Sequence, residues 1–254
     1  TTGGLVRASS DNATVAQRLA GRCTTLVVDE AGTCADVAIV PVLPRNDRGG
    51  TFQRMVLVGD AKQLPPFTRL RSDQAPRSLL ERVHETVGSA LLQTQYRMFD
   101  VLSDTISNLF YDGQLINGKA DPTGQLRLHT TRGQAEQHEN STSLYNPIEV
   151  ARVVELANAH AKTEGTTAVL TMYKTQKQMI EERVSSKVEV LTVDASQGQE
   201  FDHVVLSCVV DGARPSFLRD NRRMNVALSR AKKTLDIVCH ASLPATLPVM
   251  AALH

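Results

Sequence analysis

Apolar residues along the chain follow two rhythms. Short β-branched runs predict strands at Thr25–Asp29, Met55–Gly59, Ala168–Met172, Glu189–Val193, His203–Val210 and Leu235–Cys239. Amphipathic stretches between them predict helices at Ala13–Ala20, Ala35–Val42, Ser78–Val87, Val101–Tyr111, Pro147–Thr163, Thr175–Val184 and Met224–Lys232. In residues 147–163, Ile148, Val150, Val153, Val154, Leu156 and Ala157 trace an apolar side. Asn146 suits the cap of that helix, Pro147 its first position and Gly165 its stop. Strands alternating with helices predict an α/β protein with a largely parallel sheet. Continuous apolar runs such as Leu26–Val28 and Met55–Val58 suit strands buried on both faces. The polar, Gly-containing stretch Asp121–Ser143 predicts a surface loop or an irregular pair of strands, broken only by Leu126 and Leu128. There is no internal repeat. A boundary near Gln93–Gln95 is expected to divide the chain into two α/β units, residues 1–94 and 95–254, the first of them expected to be truncated at its N-terminus.

Composition narrows this picture without redirecting it. A chain of 254 residues accommodates one or two domains, and 41% hydrophobic content supports a core. The net charge of +1 gives no global nucleic-acid signature, so any basic binding surface is local. With no Trp and 4% aromatic residues, a broad base-stacking platform is disfavoured. The cysteines Cys23, Cys34, Cys208 and Cys239 form neither a C-x-x-C pair nor a zinc spacing with histidine, and read as reduced thiols. An intracellular protein, cytoplasmic or nuclear, is expected. No apolar run reaches membrane-spanning length, and a signal peptide is not expected. The chain opens on Thr1 close to a strand, as expected of a fragment.

Five segments carry candidate chemistry. In Leu26–Gly32 an apolar strand ends in adjacent carboxylates. Asp29 could hold Mg²⁺ through water, and Glu30 could orient or deprotonate an attacking water. The same pattern fits a strand running into a solvated acidic turn. In Met55–Pro66 a second apolar strand ends in Gly59 and Asp60, followed by Gln63, which could sense a terminal phosphate; Asp60 is a candidate nucleotide-binding residue. In Leu91–Met98, Arg97 could neutralise charge on a phosphoryl group and Tyr96 offers a face to a base, although a surface Arg and a core Tyr are equally ordinary. In Leu191–Ser207 a strand ends at Asp194, Gly198 permits close backbone approach to a ligand, and Glu200 could accept from a ribose hydroxyl. Residues 222–233 read as a basic amphipathic helix, with Arg230 on the same face as Val226 and so partly anchored; a solvated basic face is the alternative.

The five segments, in this order, resemble motifs II to VI of superfamily 1 helicases, in the branch containing the nonsense-mediated-decay RNA helicase and senataxin. The resemblance rests on DEAG (29–32), GDAKQLPP (59–66), QYRM (95–98), VDASQGQEFD (193–202) and FLRDNRRMNVALSRAKK (217–233), with NLFYDGQL (108–115) between. It implies two RecA-like parallel-sheet domains and an ATP-dependent motor that translocates 5′ to 3′ on single-stranded RNA or DNA. It implies that Asp29 and Glu30 are the Mg²⁺-coordinating and water-activating acids, that Gln63 contacts the γ-phosphate, and that Arg97 and Arg230 are arginine fingers from the second domain. Glu200 would bind ribose, Gly198 would lie against phosphate, and Tyr96 would stack on adenine. Thr1 and Thr2 resemble the end of a nucleic-acid-contacting motif.

Two departures bear on activity. No G-x-x-x-x-G-K-[ST] loop occurs in these 254 residues, nor does the family's adenine-contacting Gln element. The family's T-P-Y reads Thr171-Met172-Tyr173, and its Phe before Gln in motif V reads Ser196. The isolated chain is therefore expected to lack ATPase activity and to act when joined to a phosphate-gripping part. The alternative is a catalytically inactive helicase-like scaffold that binds nucleic acid or protein.

Overall fold

A computed structural model of the protein describes residues 24–39, 53–67, 77–137, 141–211, 217–246 and 248–253. The helix expected at Ala13–Ala20, the end of the one expected at Ala35–Val42, and Thr1, Thr2 and Cys23 lie outside these. The chain divides into two compact units, Thr1–Leu91 and Leu92–His254.

In unit 1, β1 (Thr25–Val28) pairs in parallel with β2 (Arg54–Leu57). A short helix α1 (Asp36–Ile39) follows β1, and α2 (Leu79–Val87) follows β2. Ser78 caps α2 in a reciprocal capping box. Its hydroxyl accepts from the Glu81 amide at 3.1 Å while the Glu81 carboxylate accepts from the Ser78 amide at 3.2 Å. Leu26, Val28, Ala31, Cys34 and Leu79 form the core of this unit. Burial on both faces was expected of these strands, but Val27 is 61% exposed and Met55, Val56 and Val58 are also exposed. Among the described residues, packing from α2 and the strand-end turn covers only the Leu26 and Val28 face.

Unit 2 opens with β3 (Thr94–Gln95), α3 (Asp100–Phe110) and β4 (Ile116–Asn117), with β3 and β4 parallel. Then come β5 (Gln125–Thr131), the antiparallel pair β6 (Glu136–Gln137) and β7 (Leu144–Tyr145), α4 (Pro147–His160), β8 (Thr167–Thr171) and α5 (Lys174–Glu181). The chain finishes with β9 (Val188–Thr192), a 3-10 turn at Asp194–Ser196, β10 (Phe201–Ser207), a second such turn at Phe217–Arg219, α6 (Asn221–Leu228), β11 (Ala231–His240), α7 (Leu243–Thr246) and α8 (Pro248–Ala251). Five strands form one parallel sheet in the order β5-β11-β10-β8-β9. Every residue of β8 is buried, as suits a strand covered on both faces. The α/β class with parallel pairing is as expected. Asn146 caps α4 by accepting from the Glu149 amide at 3.2 Å, with Pro147 in the first turn.

Two expectations are corrected. The stretch 121–143 contains β5, a seven-residue strand paired in parallel with β11 at the sheet edge. Arg127 and His129 alternate with its two leucines, so its apolar signal is weak. The helix expected at Met224–Lys232 ends at Leu228, and Ala231 already pairs with Phe201. Arg230 therefore sits in a turn rather than on a helix face, and Lys232 lies in β11.

Among the described residues, no helix is long and apolar enough to cross a membrane.

Candidate functional site

In unit 1 the parallel register Val28↔Leu57 brings both strand ends to one edge. Asp29 and Glu30 follow β1 in an exposed turn, where Glu30 takes φ +52 and its amide donates to Asp29 Oδ1 at 2.9 Å. The Ala31 amide donates to the Val58 carbonyl at 2.8 Å, which ties this turn to the one after β2. Gly32 and Gly59 permit the approach. A Cβ on Gly32 would lie 2.7 Å from the Asp60 carbonyl, and one on Gly59 would lie 2.8 Å from the Gly32 amide. Asp60 and Gln63 are thereby held beside Asp29 and Glu30. Asp60 Oδ1 accepts from the Lys62 amide at 2.8 Å, and Asp60 Oδ2 accepts from Gln63 Nε2 at 3.0 Å.

This donor set fits a hydrated magnesium ion. Among the described residues, no group of three or more His, Cys, Asp or Glu is arranged to enclose a metal. Mg²⁺ needs no such cage, because it keeps several waters and takes one or two carboxylates plus substrate phosphates. Asp29 makes no ion pair among the described residues and stands exposed at a strand end.

In unit 2, Arg97, Glu200 and Arg230 gather at the amino-terminal ends of β10 and β11. Arg97 Nε donates to Glu200 Oε2 at 2.9 Å, and Arg97 Nη1 donates to the Ser229 carbonyl at 3.2 Å. The Arg97 hydrogen bond holds the Glu200 carboxyl below the usual carboxylate range, with Lys232 adding a smaller effect from 3.6 Å. Arg230 is 1% exposed. Its Nε donates to the Val226 carbonyl at 3.0 Å, Nη1 to the Gln199 carbonyl at 3.2 Å and Nη2 to Ser229 Oγ at 2.9 Å. The guanidinium is thus turned inward, further than the partial anchoring expected of it. To touch a ligand it must leave these acceptors.

Tyr96 is 70% exposed, with one side of its ring over Gly118, where a Cβ would lie 2.4 Å from the ring. Gly198 takes φ +77, and a Cβ there would meet nothing within 4 Å. Its backbone angle, rather than crowding within the chain, requires glycine. Asp194 accepts from Arg223 Nη2 at 3.0 Å, and Arg223 also lies 4.9 Å over the Phe217 ring. Thr171, Met172 and Tyr173 are buried, and Ser196 donates to the Val193 carbonyl at 2.8 Å. The segment Gly113–Ala120 has the glycine and lysine spacing of a phosphate loop but ends in Ala120. Its middle is β4, so it is not a turn that opens a helix.

Two groups of residues escaped the sequence reading. Gln95 and Asn117 support the segment carrying Tyr96 and Arg97. Asp236, fully buried in β11, gathers His129 at 2.6 Å, His160 at 2.7 Å and Arg127 at 2.9 Å. Its signal was a lone carboxylate inside the apolar run of residues 235–239.

Two family models described as AAA domain match the chain, one over residues 75–242 and the other over residues 8–69. The chain is 33% identical over 248 residues to the Regulator of nonsense transcripts 1 homolog of Drosophila melanogaster, covering 85% of this chain and 20% of that protein. It is 33% identical over 249 residues to Helicase sen1 of Schizosaccharomyces pombe, covering 85% of this chain and 14% of that protein. Among solved structures it is similar to that of PRRSV helicase, at 19% identity and a TM-score of 0.49, covering 84% of this chain and 34% of that one. The chain thus spans a fifth or less of the length of these two curated relatives.

Proposed function

Because the chain belongs to the superfamily 1 helicases, in the branch of the nonsense-mediated-decay helicase and senataxin, we propose that it is the motor part of an ATP-dependent 5′–3′ helicase acting on single-stranded RNA or DNA. The observation that carries the reading is the joining of Arg97, Glu200 and the Ser229–Arg230 turn into one hydrogen-bonded cluster. Magnesium bound with ATP would supply charge neutralisation on the phosphates.

The chain's own residues divide the remaining work. Asp29 holds the hydrated ion, Glu30 orients and deprotonates the attacking water, and Gln63, steadied by Asp60, faces the terminal phosphate. Arg97 presents a guanidinium whose remaining donors, beyond those held by Glu200 and the Ser229 carbonyl, suit phosphate oxygens, and Arg230 adds a second cation once it leaves its carbonyl acceptors. Glu200, kept ionised by Arg97, accepts from the ribose hydroxyls. Tyr96 presents its open ring face to the adenine, and the φ of Gly198 turns its backbone toward phosphate.

The test is hydrolysis of ATP by the protein expressed from its full reading frame, with and without single-stranded RNA or DNA. Nucleic-acid-stimulated turnover is expected, and Arg97→Ala is expected to slow it by roughly 10³. Unstimulated turnover, or turnover indifferent to Arg97, sinks the reading. The 254 residues alone are expected to be inactive, since their sequence holds no loop to neutralise the β- and γ-phosphates. One observation favours a second reading, an inactive nucleic-acid- or protein-binding scaffold: the Arg230 guanidinium is sealed from solvent. Full-frame protein that binds single strands without hydrolysing ATP would establish it.

A further inference from the structure

The side-chain amide of Gln95 uses its whole hydrogen-bonding capacity. Oε1 accepts from the Arg97 amide at 2.9 Å and from the Met98 amide at 2.8 Å. Nε2 donates to the Met98 carbonyl at 3.0 Å and to Asn117 Oδ1 at 2.6 Å. An amide has two acceptor lone pairs and two donor hydrogens, and all four are engaged. The orientation is unambiguous, because the reversed amide would set its NH₂ against two backbone N–H groups.

The location gives the pattern its meaning. β3 lasts two residues, and the backbone leaves its ladder at Tyr96. From there the Gln95 side chain replaces the missing neighbour strand, closing three of its bonds on the backbone of residues 97 and 98. Met98 and Phe99 then enter the core, while Tyr96 stays exposed. Arg97 sits between these opposed demands, and its long side chain must leave a fixed Cα to reach Glu200 and the Ser229 carbonyl. The support extends outward. Asn117 Nδ2 donates to Asp100 Oδ1, which also accepts from the Asp121 amide at 2.8 Å, and the Gly118 amide donates to the Gln95 carbonyl at 2.8 Å.

We propose that Gln95 is a positioning residue that aims the Arg97 guanidinium by clamping the backbone of residues 97 and 98, with Asn117 as its outer support. Gln95 touches no reacting atom and acts through Arg97. The catalytic consequence rests on the helicase reading above, whereas the clamp itself is a property of this chain.

The experiment therefore has two arms. On the 254-residue chain, amide hydrogen exchange is followed in Gln95→Ala and in the milder Asn117→Ala. The Arg97 and Met98 amides should exchange about tenfold faster or more in Gln95→Ala, and less so in Asn117→Ala, with Val204–Leu206 in β10 unchanged. Retained protection at Arg97 and Met98 overturns the proposal. So does loss of protection at β10 in both variants, which would make the effect one of general stability.

In the full-frame protein, Gln95→Ala should lower kcat roughly 10- to 100-fold with little change in KM, as expected of a misplaced group. In an Arg97→Ala background it should cost nothing further, since a residue acting through Arg97 has nothing left to aim. An additive loss overturns the proposal. Absence of ATPase in the unsubstituted protein counts against the helicase reading and leaves the exchange arm to decide the clamp.

Discussion

Arg97 donates through Nε to the Glu200 carboxylate at 2.9 Å, joining residues 103 positions apart in sequence. The pair is poorly placed to stabilise the fold, because the Glu200 side chain is 46% exposed and the Arg97 side chain 31%. Exposed ion pairs contribute roughly 0–1 kcal/mol. Glu200→Gln should therefore shift the urea unfolding midpoint of the chain by the equivalent of about 1 kcal/mol or less. In the full-frame protein it should weaken ATP binding, measured by titration with a non-hydrolysable analogue. A large stability loss with unchanged nucleotide affinity would make Glu200 structural.

Arg230 presents the opposite case. Its buried guanidinium satisfies two carbonyls and a hydroxyl. Arg230→Ala should destabilise unit 2 by about 2–4 kcal/mol, from orphaned acceptors and the space left behind. Arg230→Lys should not restore this, because an ammonium lacks the planar fork that meets three acceptors at once. Denaturant unfolding without nucleotide measures both, and unchanged stability in Arg230→Ala would mean that the guanidinium is not seated in this pocket.

Glu149 makes the stability of unit 2 fall between mildly acidic and neutral pH. Its carboxyl is fully buried in α4, accepting from the Ser207 hydroxyl at 2.9 Å and the Val209 amide at 2.8 Å, while Oε1 has no partner. Burial pushes its pKa up to about 7, against smaller opposing effects of those hydrogen bonds. The native state thus holds its proton to higher pH than the unfolded chain does. The contribution to stability is complete below pH 4.5 and is lost as pH rises through about 7, by roughly 3 kcal/mol in all. Glu149→Gln should remove that slope, measured as unfolding free energy between pH 5 and 8.5. A slope that persists in the variant would place its origin elsewhere.

Asp236 acts at the acid end. Burial alone would raise its pKa, but hydrogen bonds from His160 and His129 and the nearby Arg127 outweigh it and hold the value at about 2. The resulting stabilisation is present above pH 3.8 and is lost as pH falls through about 2. His129 Nδ1 accepts from Arg152 at 3.1 Å, which leaves Nε2 to donate to the carboxylate. Asp236→Asn should cost about 3 kcal/mol near neutrality and flatten the acid limb of the stability curve. A loss confined to the region below pH 4 would contradict this.

Helix α2 offers a local test. Ser78→Ala removes the hydroxyl half of the capping box, leaving the backbone amide to donate to Glu81, and should cost unit 1 about 1 kcal/mol. Ser78→Thr should retain most of it, since a threonine hydroxyl can still accept from the Glu81 amide and donate to its carboxylate, read as helical circular dichroism across a urea titration. Equal loss in both variants would show that the hydroxyl has a different role.

Particular residues mark what the sequence revealed. The strands of the main sheet were visible where apolar runs are continuous, as in Thr167–Thr171 and Phe201–Ser207. Asn146 and Pro147 marked the start of α4. β5 was obscured because Arg127 and His129 occupy positions turned toward Asp236, so an edge strand with a buried polar network reads as a loop. The end of α6 was misplaced because Arg230, Lys232 and Lys233 continue a basic pattern across the helix–strand junction. Among the candidate site residues, Arg97 could be named from its segment, but not its carbonyl partner at Ser229. Gln95 was hidden because three of its hydrogen bonds go to backbone groups two and three residues away, which leave no periodic trace, and the fourth to the distant Asn117.

The strand order also bears on synthesis. β5 leaves the ribosome long before β11, its neighbour in the main sheet, since Arg127 and Asp236 are 109 positions apart. At about 5–20 residues per second, the nascent chain waits roughly 5–20 s before β11 emerges to seat that edge. During that interval His129, Arg127 and His160 have no Asp236 to meet, and Leu126 and Leu128 have no neighbouring strand. The carboxylate that completes the edge is therefore among the last parts of the sheet to be made, and a ribosome that stalls before Asp236 leaves a domain that cannot close.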